Sequence, residues 1–174
     1  MLMSATFGAH GVYRYTLTRD WRKEEPGKFG TVVFCMLNPS TADAEKDDPT
    51  IRRCIGFAKR WGYGSLVVVN LYALRTPSPK VLLAKRKGGA DVLGPDNLTH
   101  IRAAVLGIKQ LSVAQKCNVI CAWGANAEEL WASELTVRLR GMGADLGCLG
   151  RTKSGAPRHP LYVRADQAIE GYDA

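Results

Sequence analysis

Four motifs that mark the end of a strand recur along this chain, and their order narrows the folds that it can adopt. They read VVFCMLNPSTAD (32–43), LVVVNLYALR (66–75), NVICAWGANA (118–127) and GAPRHPLYV (155–163). Apolar runs bounded by turn-forming residues are typical of buried strands. In an open α/β sheet, ligands bind at the carboxyl ends of the strands. The sequence therefore predicts a functional site at the sheet edge where these motifs meet.

Helical segments alternate with the strands. We predict strands at 12–21, 31–37, 65–70, 117–122 and 145–149, and helices at 48–61, 97–115 and 126–140. Asp48 and Pro49 suit the N-cap and the first position of the first helix. The alternation favours an α/β fold with a mostly parallel sheet covered by helices on both faces. We expect one α/β domain over 1–174, with an N-terminal edge strand or hairpin and a turn in 1–30 and the core in 31–163.

The composition excludes several classes of protein. With 46% hydrophobic and 23% charged residues, the 174-residue chain is an ordinary globular sequence. It has no apolar run near the roughly 20 residues that span a bilayer and no signal-peptide pattern. The five scattered cysteines are expected to be reduced and mostly buried, which predicts a cytoplasmic protein. Cys117 and Cys121 lack zinc-site spacing, and no dinucleotide-binding or phosphate-loop glycine motif is present, so we expect neither metal nor cofactor.

Basic residues are in excess and clustered. The chain has 24 Lys and Arg against 16 Asp and Glu, and the segments 75–87 and 151–164 hold several bases and no acid. Both segments follow strand ends, so Arg75, Arg151, Lys153 and Arg158 are expected to contact nucleic-acid phosphates. The alternative is a solvated basic face. The same choice is open for two N-terminal arginines, Arg14 and Arg19.

The four motifs, taken in order, resemble those of the uracil-DNA glycosylase superfamily. LNPSTAD is similar to its first motif, VVVNLYALR to the segment whose asparagine reads the base, ICAWGANA to its Trp-Gly strand end, and RHPLY to its His-Pro motif. The resemblance covers about 31–163 and implies a three-layer α/β/α fold around a four-stranded parallel sheet. The whole chain more closely resembles the bacterial and phage family called domain of unknown function 1643, which has no established activity.

The resemblance implies roles for individual residues. Asn38 would orient the attacking water, Pro39 would fix its loop, and Asn70 would read a pyrimidine edge. His159 would donate a hydrogen bond to the base oxygen, where charge develops as the base leaves. The remaining substrate-binding candidates are Tyr72, as a stacking platform, and Trp123 and Gly124, whereas Phe34 is expected in the core.

Each role has a structural alternative. Asn38 and Pro39 also form an ordinary turn opener, and Asn70 can satisfy backbone groups at a strand end. Trp123 suits packing as well as stacking. Asp43 heads an acidic cluster that can bind Mg²⁺ or position a water, so it is a candidate acid–base residue. Asp47 and Asp48 in the same cluster better suit a helix cap and a surface role.

Two of the departures from the superfamily pattern affect the expected activation of water and the expected substrate. The first motif has asparagine where the most active branch has aspartate, and only 11 residues follow Val163, where the family usually has a wedge loop. Flipping a base out of a duplex requires such a wedge. We therefore expect DNA, in particular single-stranded DNA, or a nucleotide as partner, and no membrane.

Three functions stay open at this point. The first is a hydrolase of the N-glycosidic bond of a modified or damaged base. The second is a non-catalytic nucleic-acid or nucleotide-binding module on the same fold, and the third is a metal-dependent nucleotide enzyme using Asp43. The oligomeric state is not predicted by the sequence.

Overall fold

A mixed sheet of seven strands forms the centre of the molecule in a computed structural model, which describes residues 1–109 and 118–173. The strands are β1 (Leu2–Phe7), β2 (Arg14–Asp20), β3 (Phe29–Met36), β4 (Tyr63–Asn70), β5 (Val119–Cys121), β6 (Leu146–Cys148) and β7 (Glu170–Gly171). Their spatial order is β1-β2-β4-β3-β5-β6-β7. The four middle strands are mutually parallel, and the three outer strands pair antiparallel to their neighbours.

The prediction of a four-stranded, mostly parallel sheet is therefore wrong in the number of strands. It also missed the antiparallel pairing of the outer strands. The four parallel strands are those that carry the predicted motifs, and the additions lie at the two edges of the sheet. β1 alternates between exposed and half-buried residues, and β7 is only two residues long. Neither has the continuous apolar run that identifies a strand buried on both faces. β2 corresponds to the strand predicted at 12–21, but it pairs with β1 on one side and β4 on the other, so β1 and not β2 is the edge strand.

Four helices connect the strands among the described residues. They are α1 (Pro49–Arg60), α2 (Pro79–Lys87), α3 (Asn97–Lys109) and α4 (Glu129–Gly141). The predicted cap of α1 is confirmed, because the Asp48 Oδ1 accepts a hydrogen bond of 2.9 Å from the Ile51 N–H. α2 was not predicted, since its basic sequence buries only Leu82. The predicted end of the second helix near 115 and the start of the next strand at 117 lie outside the described residues.

The helices cover both faces of the sheet. α1 packs through Ile51, Cys54 and Phe57 against the face that carries Phe34, so the prediction that Phe34 lies in the core is confirmed. α2, α3 and α4 pack against the opposite face, through residues such as Leu82, Ile101 and Leu135. This division follows from right-handed crossovers, because β3 to β4 runs in one direction across the sheet and β4 to β5 to β6 runs in the other.

That reversal creates a crevice at the carboxyl ends of β3 and β5. The connection that leaves β3 runs toward one edge of the sheet, and the connection that leaves β5 runs toward the other edge. The connections that leave these two neighbouring strands therefore diverge. Open α/β sheets bind ligands at such a switch point. Asn38 follows β3 and Trp123 follows β5, so two of the predicted motifs flank this crevice.

The cysteines that the structure describes are buried, as expected. Cys35, Cys54, Cys121 and Cys148 are buried thiols, and burial raises the pKa of Cys35 to about 12. The fifth cysteine, Cys117, lies outside the described residues. Within the described parts of the chain, no helix has both the length and the apolar character that crossing a bilayer requires.

Candidate active site

An open cleft of about 660 Å³ lies at the carboxyl ends of β3, β4 and β5. The amino-terminal end of α1 and the loop after β6 form its walls. It contains seven of the residues predicted for the site: Asn38, Asn70, Trp123, Gly124, Lys153, Arg158 and His159. Five other predicted residues do not line it: Pro39, Asp43, Tyr72, Arg75 and Arg151. The cleft therefore combines part of every predicted motif with the floor of the sheet.

Asn70 is the most unusual residue in this cleft. It is the last residue of β4 and only 1% exposed. Its Nδ2 and its Oδ1 are both buried without a hydrogen-bond partner among the residues that the structure describes. A buried polar group without a partner costs about 1–3 kcal/mol, so the alternative role of satisfying backbone groups does not apply. The residue lines the cleft, and its amide carries N–H donors and a carbonyl acceptor side by side that no described residue uses.

Asn38 is held in the opposite way. Its Nδ2 donates hydrogen bonds to the carbonyl oxygens of Pro39 at 3.0 Å and Thr76 at 2.8 Å. Two acceptors fix which end of the amide is nitrogen, because an amide oxygen in that place would face two carbonyl oxygens. The Asn38 Oδ1 has no partner in the described parts of the chain. Asn38 therefore presents a single acceptor to the cleft, from a side chain that cannot rotate freely.

His159 lies on the opposite wall, in the loop that follows β6. Its Nδ1 accepts a hydrogen bond of 3.3 Å from the main-chain N–H of Leu161, so in the neutral ring the proton is on Nε2. Burial lowers the pKa of His159 below its ordinary value of 6.5, although the charge of Asp48 acts in the opposite direction. The imidazole is therefore neutral near pH 7 and can donate one hydrogen bond through Nε2.

The loop of His159 is fixed at both ends. On one side, the Gly124 N–H donates to the Pro157 carbonyl at 2.9 Å, and Gly124 has a φ of 74°, which favours glycine. On the other side, Arg53 of α1 donates to the carbonyl oxygens of Pro160 and Val163. Gly124 thus positions His159 rather than offering a side chain to a ligand.

Arg14 is a cleft residue whose position the sequence did not reveal. It is 2% exposed, lines the cleft, and donates from Nη1 to the Ala42 carbonyl at 2.6 Å. A bulge causes this placement: Thr6 pairs with Thr16, but Phe7 pairs with Arg14, so β2 holds one extra residue. Bulges redirect side chains in this way. Neither of the two expectations for Arg14, phosphate contact at the surface or simple solvation, foresaw a buried arginine.

The comparison with known proteins agrees with the closer of the two sequence resemblances. A family model described as Protein of unknown function (DUF1643) matches residues 14–161. The chain belongs to this family. No curated protein and no solved structure matches it.

In this member of DUF1643, Asp43 is a loop-forming residue. Its Oδ1 accepts hydrogen bonds of 2.8 Å from the main-chain N–H groups of Glu45 and Lys46, and these bonds hold its pKa below the ordinary value. Arg19 fixes the same loop, with an ion pair of 2.8 Å to Asp47 and a bond of 2.6 Å to the Asp43 carbonyl. The structure therefore places the predicted acid–base residue outside the cleft.

Neither Tyr72 nor Pro39 reaches the cleft. Tyr72 is fully buried in the core on the face that carries α2 to α4, where its hydroxyl accepts from the Glu128 N–H at 3.4 Å and Arg86 stacks on its ring. Pro39 is buried, and its carbonyl accepts from Thr76 N–H at 2.9 Å. Pro39 thus fixes the loop of Asn38, the role that the resemblance implies, without lining the cleft.

Trp123 packs in the core and also lines the cleft. It lines the cleft but is only 2% exposed, and its ring meets Tyr172 edge-on with centroids 5.7 Å apart. The packing alternative therefore describes most of its surface. Its contribution to the cleft is an apolar wall beside Asn38 and His159.

The predicted basic contacts divide into two groups. Lys153 and Arg158 are exposed at the rim of the cleft. Arg151 instead donates to the Asp173 carbonyl and stacks on Tyr172, and Arg75 donates to the Gly11 carbonyl and stacks on Phe7. The rim is therefore basic on the His159 side, where a polyanion can approach.

The cleft contains no cluster suited to a metal ion. Over residues 1–109 and 118–173, no group of three or more His, Cys, Asp and Glu side chains lies close enough to hold one. Asp48 lines the cleft, but its Oδ1 already accepts the Ile51 N–H as the cap of α1. The main polar groups of the site are thus the amides of Asn38 and Asn70, the imidazole of His159 and the guanidinium of Arg14.

Proposed function

We propose that this protein is a base-recognising hydrolase that cleaves the N-glycosidic bond of a modified or damaged base, on a fold like that of the uracil-DNA glycosylases. The observation that carries the proposal is the buried amide of Asn70, whose donor and acceptor both lack partners among the described residues. A nucleobase edge offers the complementary acceptor and donor. The cleft volume of about 660 Å³ lies within the range of pockets that enclose small ligands.

The groups around Asn70 suit the chemistry of glycosidic cleavage. Asn38 presents its Oδ1 to the cleft, where it can accept a hydrogen bond from a water. That bond would orient a lone pair of the water oxygen toward the anomeric carbon. The Nε2–H of His159 would donate to a base oxygen as negative charge develops on the departing base. A neutral donor of this kind stabilises the anion without giving up its proton.

The rim supports a nucleic-acid or nucleotide partner. Lys153 and Arg158 are exposed beside His159, and the whole chain has a net charge of +8. Basic residues at the mouth of a site attract phosphates by releasing condensed counterions. We propose DNA, in particular single-stranded DNA, or a nucleotide as the partner. The buried thiols favour the cytoplasm, where cysteines stay reduced.

A base-excision assay tests this proposal. Purified protein is incubated with labelled single- and double-stranded oligonucleotides that carry uracil, hypoxanthine, xanthine, or oxidised or phage-type modified bases, and abasic sites are then cleaved with alkali. Strand breaks that disappear in Asn38→Ala and Asn70→Ala establish the hydrolase and identify its base. Folded Asp43→Ala protein is the matched control, because Asp43 lies outside the cleft.

The alternative is a binding module without catalysis, and one observation favours it. Among the residues that the structure describes, no carboxylate is placed in the cleft as a general base, since Asp48 caps α1 and Asp43 is held by its own loop. Asn38 can orient a water but cannot take its proton. Salt-sensitive retention of the oligonucleotides without strand breaks would support this alternative, and absence of both would exclude nucleic acid as the partner.

A further inference from the structure

Two buried arginines on β2 differ in what neutralises them. Arg14 is 2% exposed and Arg19 is fully buried. Arg19 has a carboxylate partner, with its Nε 2.8 Å from the Asp47 Oδ1, and it also donates to main-chain carbonyls. Arg14 has no carboxylate within 4.0 Å among the described residues. The one hydrogen bond of its guanidinium to a described residue is to the Ala42 carbonyl, and its Nε is buried without a partner there.

A buried guanidinium without a carboxylate partner is unfavourable unless another group binds it. Removing a cation from water costs several kcal/mol, and only a close anion with good geometry offsets that cost. The charges of Asp48 and Asp43 favour protonated Arg14, while Arg75 and Arg19 oppose it, and burial lowers its pKa to about 10. Arg14 is therefore still charged at neutral pH, and it lines an open cleft.

The position of Arg14 is specific. Side chains along a regular strand alternate between the two faces of the sheet. Arg14 and Leu17 are three residues apart, so without the extra residue that the bulge adds to β2 they would lie on opposite faces. Tyr15, next to it, stacks on His100 of α3 at 4.6 Å on the other face of the sheet. The bulge thus sends Arg14 to the α1 face, where it reaches Ala42 and the cleft that also contains Asn70.

We propose that Arg14 binds the terminal phosphate of a nucleotide whose base reaches Asn70. An arginine fork matches phosphate oxygens well, and its Nε–H is the donor that lacks a partner. A terminal phosphate is favoured over an internal one because Arg14 is almost fully enclosed, and an internal phosphodiester carries chain on both sides. The ligand class is thus a free nucleoside monophosphate or a phosphorylated strand end.

This inference rests on the part of the proposed function that assigns base recognition to Asn70, but it does not require that the glycosidic bond is cleaved.

Binding is measured by calorimetry with wild-type protein, Arg14→Gln and Arg14→Lys. The probes are 2′-deoxynucleoside 5′-monophosphates, the corresponding nucleosides and orthophosphate. The quantity of interest is the ratio of nucleoside Kd to monophosphate Kd. Arg138→Gln is the matched control, since it removes the same charge from the exposed side of α4, outside the cleft.

We expect the wild-type ratio to be about tenfold or more, the range of a charge-assisted hydrogen bond. The ratio should fall to near one in Arg14→Gln and to an intermediate value in Arg14→Lys. In Arg138→Gln it should stay close to the wild-type value, because Arg138 does not line the cleft. Because Arg14 has no ion pair to lose, both Arg14 variants should fold; Arg14→Lys, which keeps the charge, decides the outcome if Arg14→Gln does not.

Three results would overturn the phosphate subsite: a wild-type ratio near one, an unchanged ratio in both Arg14 variants, or no binding of any probe. The failure of the proposed function gives a different pattern. If orthophosphate binds in an Arg14-dependent way and the nucleoside adds nothing, the subsite stands and base recognition by Asn70 is wrong. If nucleosides bind and phosphate adds nothing, base recognition stands and the subsite is wrong.

Discussion

The side chain of Asn97 donates a hydrogen bond of 3.0 Å to the main-chain carbonyl of Asn70. The two asparagines are thus neighbours, and both are buried, at 2% and 1% exposed. Their amides are used differently, because the Asn97 Nδ2 also reaches the Leu71 carbonyl at 3.3 Å. Asn97 supports the strand end on which Asn70 is presented, whereas the Asn70 side chain itself supports nothing in the described structure.

Asn70→Leu should therefore separate stability from function. Removing an amide that has no partners should leave the free energy of unfolding unchanged or raise it by about 1–2 kcal/mol, while ligand binding and base excision are lost. Urea unfolding and the excision assay measure the two effects. Asn97→Leu is the matched control and should lower stability by about 1–3 kcal/mol, since it removes the bond to the Asn70 carbonyl and leaves the Leu71 carbonyl with the Trp131 Nε1 as its side-chain donor. A large loss of stability in Asn70→Leu would show that Asn70 is structural.

Asn38→Asp should not create a more active enzyme, although an aspartate would be the stronger base. The carboxylate would face the carbonyl oxygens of Pro39 and Thr76, to which the amide now donates. We expect a loss of about 2–4 kcal/mol at neutral pH, from two lost bonds and the repulsion between oxygens. Thermal unfolding and single-turnover excision check this. Faster excision by a variant as stable as the wild type would contradict the arrangement of Asn38.

His159 should give activity an acid limit below the ordinary histidine range. Its Nδ1 accepts the Leu161 N–H only while the ring is neutral, and burial lowers its pKa below 6.5. Excision should therefore stay constant as the pH falls through 6.5 and decline only at lower pH. His159→Gln should be slower by about 10²–10³-fold and should lack this limb. A decline centred at or above pH 6.5 in the wild type would contradict the assignment.

The same group predicts how stability depends on pH. Between the lowered folded pKa and 6.5, the unfolded chain binds more protons at His159 than the folded chain does, so stability rises with pH in that window. The slope of the unfolding free energy against pH should be smaller there in His159→Gln. Equal slopes in the two proteins would indicate that His159 is solvated.

Asp43→Ala should keep ligand binding and excision. Asp43 does not line the cleft, and its carboxylate serves the main-chain N–H groups of its own loop. Because those bonds lower its pKa, they stabilise the wild type above the unfolded pKa, and this stabilisation is lost as the pH falls through the folded pKa. Unfolding at several pH values measures that difference. Loss of excision in a folded Asp43→Ala protein would restore Asp43 as a catalytic residue.

The local sequence was sufficient to predict the helices and strands that are specified by residues close together in the chain. Asp48 and Pro49 specify the start of α1 because a cap and a proline act within one turn. The continuous apolar runs specify β3 and β4, since a strand buried on both faces needs apolar residues throughout. β1 and α2 escaped prediction because each buries only part of its surface and therefore lacks a clear pattern.

The sequence by itself determined that Asn38, Asn70 and His159 would lie at one edge of the sheet, because each follows or ends a strand and parallel strands end on the same side. Only the tertiary structure decided what each group is free to do. Asn70 is available because no neighbour satisfies its amide, Asp43 is not because its own loop occupies it, and Arg14 reaches the cleft through a single extra residue on β2. Hydrogen-bond partners and bulges depend on residues distant in the chain, which a local pattern cannot specify.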